Sequence, residues 1–148
     1  MAEEKRWLKT RMIVEVAGFP KEHIEHTIVL LGEKFADGLK AVRVTKKMVR
    51  EPVQIKDSVI WSGFVEFHCD IQDIATLMGL MFDYMPSSVE IIEPETVTEE
   101  TQNLNDILND LATRLHQYDA TVKTLRAEKN ILGKELGKEL AKSKKPSQ

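Results

Sequence analysis

The run Val59-Ile60-Trp61-Ser62-Gly63-Phe64-Val65-Glu66-Phe67-His68-Cys69 decides the fold. Side chains alternate across a strand, so Val59, Trp61, Gly63, Val65, Phe67 and Cys69 share one face. Ile60, Ser62, Phe64, Glu66 and His68 share the other. Beyond this strand, Asp70 is placed to cap a helix, with Asp73 in its first turn, where a carboxylate suits the helix dipole. Ile71, Ile74, Leu77, Met78 and Met81 would form that helix's apolar face, widened by Leu80 and Phe82. Pro86-Ser87-Ser88 breaks it, and Val89 to Glu93 reads as a short strand closed by Pro94.

Working back toward the N-terminus, the polar stretch Lys47 to Ser58, with Pro52 inside it, is a long loop or the exposed end of a hairpin. Leu39 to Lys47 alternates around Val42 and Val44. Asp37-Gly38 stops a preceding helix whose stripe is Ile24, Ile28, Leu31 and Phe35. Gly18-Phe19-Pro20 separates that helix from a first strand, Trp7 to Ala17, with Met12, Val14 and Val16 on one face. The order strand, helix, strand, strand, helix, strand predicts an α+β fold of ferredoxin-like βαββαβ type over residues 7–95. That is a four-stranded antiparallel sheet with both helices on one face. Residues 1–6 would be a frayed end.

Such a sheet leaves its second face uncovered. Ile13, Glu15, Ile60, Ser62 and Phe64 are the candidate interface there, with Glu66 and His68 beside them. Its apolar centre, Ile13, Ile60 and Phe64, invites coverage by a second copy of the sheet or by the chain's own last helix. Gly63-Phe64-Val65-Glu66-Phe67 also resembles the second half of the RNP1 motif of RNA-recognition motifs, and Val14 to Pro20 is similar to their RNP2 strand and exit turn. That resemblance implies base stacking on outward aromatics. Of those positions only Phe64 is aromatic; the others read Ser62 and Glu15, and the leading basic residue is replaced by Ile60.

The last third of the chain carries a different period. Leu104, Leu111, Tyr118, Leu125 and Leu132 recur every seven residues, with Leu108, Leu115, Val122, Lys129 and Leu136 between them. This 4-3 spacing is a heptad repeat with the first set at d and the second at a. It predicts a coiled-coil helix over residues 96–140, opened by a Thr96/Glu99 capping box and followed by a disordered basic tail, 141–148. Ile107 and Ala112 widen the stripe at its start, as docking on a domain would want; beyond Tyr118 only the narrow pairing seam is left. Leucine at d and one lysine at a favour two strands, and Arg114 at g with Asp119 at e mildly favours parallel chains.

Composition bounds the function. The net charge of −3 divides into −4 over residues 1–96 and +1 over residues 97–148, so neither part is the basic block of a dedicated nucleic-acid binder. The single cysteine, Cys69, allows no internal disulfide and no cysteine-based zinc site. The first residues lack a signal-peptide core, and the longest apolar segment, Ile71 to Met85, is too short and too interrupted to span a bilayer. These features predict a cytoplasmic protein without a membrane segment. His23 and His26, at i and i+3, have metal-ligand spacing but no third ligand, and are read as a solvated face. The basic series Lys40, Arg43, Lys46, Lys47 and Arg50 is read as edge protection before phosphate binding. Met78, Met81, Phe82, Tyr84 and Met85 are read as core. No catalytic set, cofactor motif or metal site is predicted. The expectation is a non-catalytic assembly protein whose partner is a second copy of itself, with room for a further protein partner. The alternative is a nucleic-acid or small-ligand module dimerised by its helix.

Overall fold

A computed structural model describes residues 6–144. Of the frayed start expected at residues 1–6, residues 1–5 lie outside that range, as do residues 145–148 of the tail expected at 141–148. Strand β1 (Leu8–Gly18) pairs along its whole length with β4 (Trp61–Ile71), Leu8 opposite Ile71 and Gly18 opposite Trp61. On either side lie β2 (Val42–Val49) and β5 (Ser88–Glu93), giving the order β2-β4-β1-β5 with every neighbour antiparallel. Helix α1 (Lys21–Lys34) follows β1, α2 (Ile74–Tyr84) follows β4, and α3 (Thr101–Ser143) ends the described chain. The protein is therefore a mixed α+β chain with an antiparallel sheet and a long C-terminal helix.

The sheet has five strands where the sequence predicts four. The fifth, β3 (Val53–Gln54), pairs with β4 at Ser62 and Trp61, just beyond the end of β2. Proline is the cause. Arg50 still donates its N–H to the Phe64 carbonyl at 3.0 Å, but Pro52 has no N–H to give, so the edge breaks before it resumes at Val53. Ile55 N–H then donates to the Ile60 carbonyl at 2.9 Å and closes the hairpin. The polar stretch is thus a hairpin end.

Both helices contribute to one core. Met12 and Val14 of β1, Val65, Phe67 and Cys69 of β4, Ile24 and Ile28 of α1, and Leu77 and Leu80 of α2 belong to a single buried cluster. Phe35, at the C-terminus of α1, stacks on Phe67 with ring centroids 3.9 Å apart and meets Tyr84 at 4.6 Å. The Tyr84 hydroxyl accepts the Ala36 N–H at 2.9 Å, a donor left over where the chain leaves the helix through left-handed residues Ala36 and Gly38. The one glycine inside β4 has a packing reason. A Cβ at Gly63 would overlap Cδ1 of Ile28, so α1 approaches the sheet where Gly63 lets it.

Three boundaries differ from expectation. Asp70 and Ile71 continue β4: Ile71 is fully buried opposite Leu8 and Val42, so core burial at period two overrides the capping pattern. The cap is Asp73, whose Oδ1 accepts the Thr76 N–H at 2.8 Å. In β2, Thr45 is an extra residue between Val44, opposite Cys69, and Lys46, opposite His68, so alternation changes phase there. Finally, α3 begins at Thr101 with Glu100 as N-cap and no side-chain cap bond, so the Thr96/Glu99 box is not formed; it runs to Ser143, past the boundary expected at residue 140. The chain divides between Glu99 and Glu100 into two compact units, the sheet unit and the α3 unit.

Candidate interaction surfaces

The first surface is the sheet face opposite α1 and α2. Cross-strand partners share a face, so the pairing register orders it in rows: Val53, Ser62 and Ala17; Phe64 and Glu15; Met48, Glu66, Ile13 and Ser88; Lys46, His68, Arg11 and Glu90; Arg43, Asp70, Lys9 and Glu93. The lower rows are charged, and most of their members are paired. Lys9 meets Glu93 at 3.1 Å, Arg11 meets Glu90 at 3.1 Å, and His68 Nε2 lies 2.9 Å from Glu66. The Arg43 guanidinium lies 3.8 Å from the ring centroid of Trp7. The exposed pairs Lys9–Glu93 and Arg11–Glu90 fix geometry more than they stabilise, at roughly 0–1 kcal/mol each.

The upper rows form an open groove of about 510 Å³ between Ile13, Phe64, Val53 and Ile55, rimmed by Glu15, Glu51, Gln54, Ser62 and Ser87. Ser62 donates its hydroxyl to Glu15 across the strands. Of the residues expected on this face, Ile13, Glu15, Ser62 and Phe64 come together at the groove. Ile60 does not line it; it precedes β4 and is held in the hairpin turn. Glu51, Val53, Gln54 and Ile55 were hidden because their stretch is too polar to read as strand. The signal that would have found them is Pro52, which marks an edge.

The remaining expected clusters are dispersed. The basic run splits between two faces: Arg43 and Lys46 lie on the open side, while Lys47 reaches back to donate to the Gly32 carbonyl at 3.1 Å. His23 and His26 are exposed on α1, and the described residues hold no group of three or more His, Cys, Asp or Glu placed for a metal. In α2, Leu77 and Leu80 are the buried residues, whereas Met81 and the C-cap residue Met85 are exposed, not core as expected. Cys69 is buried, and desolvation, reinforced by the Asp70 carboxylate, pushes its thiol up to about 11. A thiol held neutral is a poor nucleophile.

The second surface is the seam of α3. The helix is unbroken for 43 residues and buries none of them. Leu104, Leu108, Leu115, Tyr118, Val122, Leu125, Leu132 and Leu136 are all exposed, from 41% at Tyr118 to 65% at Leu132, and Leu111 is half-buried. Lys129 is exposed in the same row. A helix cannot fold onto its own stripe, so this stripe is covered only by something packed against it. The polar faces are already paired: Arg114 Nε with Asp110 at 3.1 Å, and Lys123 with Asp119 at 2.7 Å, both at i, i+4. No helix of the described residues is long and apolar enough to cross a membrane.

An antiparallel sheet with two helices in its core, followed by one long amphipathic helix, places the chain among mixed α+β proteins with an appended helix. The model of the MJ0538 family matches residues 9–138, and the chain belongs to that family. No curated protein and no solved structure matches it. The family match runs across the Glu99/Glu100 division and ends two residues past Leu136, so most of the long helix falls within it.

Proposed function

We propose that this is a non-catalytic assembly protein: a ferredoxin-like head joined to a helix that pairs with a second copy of itself as a two-stranded coiled coil. The ferredoxin-like reading is supported by the order β2-β4-β1-β5, with β3 taken as a detached end of the β2 edge. The observation that carries the pairing is the exposed stripe of α3, ten register positions from Leu104 to Leu136 of which nine are apolar. At ~1.5 Å per residue the seam is about 48 Å long. A row of leucines that long in water favours association, at ~25 cal/mol per Å² of apolar surface covered. Lys129 suits a two-stranded pair, where an a-position ammonium still reaches solvent.

The test is removal of the chain after Asp119, read by light scattering and by tryptophan fluorescence. Both tryptophans, Trp7 and Trp61, belong to the sheet unit. Loss of association with a folded sheet unit is the expected result. An unchanged oligomeric state would sink the coiled-coil reading, leaving the open sheet face as the contact.

A further inference from the structure

We infer that the two copies of α3 pair antiparallel, centred on residue 120, so that their sheet units attach at opposite ends of the pair. This rests on the self-association proposed above and goes on to assign its direction. In an antiparallel pair the a residues of one chain face the d residues of the other. When facing positions sum to 240, all ten register positions find partners: Leu104 with Leu136, Leu108 with Leu132, Leu111 with Lys129, Leu115 with Leu125, and Tyr118 with Val122.

The balance of charge separates this arrangement from the parallel one: its one like-charge approach is Asp119 to Asp119 of the second copy, whose side chains lean apart and are each held by Lys123. Parallel chains set Lys129 directly against Lys129 of the second copy, two ammonium groups in one layer. Antiparallel chains set each Lys129 against Leu111, where its methylene stem covers the leucine and its head reaches water. On the flanks, parallel chains bring Arg114 near Asp119, but Asp119 already holds Lys123 and Arg114 already holds Asp110. Glu128 would meet only Gly133. No basic residue stands three or four positions from Glu128, so its own helix gives it no cation. Antiparallel chains bring Glu128 and Arg114 to facing g positions about 3 Å apart along the axis, with side chains leaning toward each other. The Arg114 fork has donors enough for Asp110 and Glu128 together. Size agrees too, since the bulky Tyr118 meets the smaller Val122 instead of a second tyrosine.

The experiment uses two cysteine variants of the full chain and a short bismaleimide, with the unmodified chain as control for the buried Cys69. Thr121, at g beside the two-fold centre, faces itself only between antiparallel chains; between parallel chains the two copies lie on opposite flanks. Leu111, at d, faces itself only between parallel chains and otherwise stands ~27 Å from its counterpart. The expected result is that most T121C chains become covalent dimers and L111C chains stay single. L111C dimers without T121C dimers, or light-scattering dimers that neither variant cross-links, would overturn the direction while leaving self-association standing. Monomers in light scattering of the unmodified chain would overturn both.

Discussion

Alanine at Gly63, combined with valine at Ile28, tests why α1 sits where it does. The Cβ of Gly63→Ala would overlap Cδ1 of Ile28, an atom in the fully buried core, and would touch Pro52 at an ordinary 3.4 Å. Overpacking of this kind costs about 1–3 kcal/mol. Roughly 0.5–1 kcal/mol is returned, because alanine is the better strand residue, leaving a net loss of ~0–2.5 kcal/mol. Ile28→Val removes the offending methyl and by itself costs about 0.5–1.5 kcal/mol. If the overlap is the whole reason for the glycine, the double variant loses no more than Ile28→Val alone. The coupling between the two changes is then about 1 kcal/mol, in the sense of mutual rescue. Urea unfolding followed by tryptophan fluorescence measures this, since both indoles report the sheet unit. Losses that simply add, within the usual ~0.3–0.5 kcal/mol, would show that something other than Ile28 requires Gly63.

Three further outcomes are expected. Tyr84→Phe leaves the Ala36 N–H without its acceptor and should cost about 1–3 kcal/mol in the same urea titration; no change would mean that water replaces the hydroxyl. The Cys69 thiol, raised from 9.0 to about 11, contributes stability that is complete below pH 9 and lost as pH rises to 11, because only the unfolded chain ionises in that window. The urea midpoint of the unmodified chain should therefore fall relative to Cys69→Ala between those pH values, and parallel curves would refute it. Lys129→Leu should tighten dimerisation by at least about tenfold, given the ~1.5–3 kcal/mol gained on burying a leucine; weaker association by sedimentation would place Lys129 outside the seam.

Much of the sheet unit was legible because its alternation is clean where burial is one-sided. Val65, Phe67 and Cys69 could be assigned to the core from β4 alone, and the likeness of Gly63-Phe64-Val65-Glu66-Phe67 to an RNA-binding strand has a packing explanation in Gly63, Val65 and Phe67. What failed was punctuation. Asp70 looked like a cap because the pattern of a cap is local, whereas the burial of Ile71 depends on Leu8 and Val42, distant in sequence. Thr45 changed the phase of β2 with no compositional sign, since a bulge is defined by the partner strand. The groove needed β3, whose two residues carry no periodicity of their own. The long helix and the apolar stripe along it could be read because both are properties of one continuous segment.

The extra residue in β2 has a counterpart in β5, where Glu93 lies opposite Lys9 and Ile91 opposite Thr10, and the two together bear on the edges of the sheet. Thr45 on β2 and Ile92 on β5 are each an extra residue on an outermost strand, so both borders are bent out of register with any straight strand that might join them. Lys46 and Lys47 follow the first of these irregularities. Sheets with ragged, charged borders do not stack into ribbons, which insulates the molecule against fibre growth. The helix pairing proposed above would then stop at a finite number of chains, since neither edge strand offers a straight border to a further copy. At high concentration this protein should remain a solution of discrete particles.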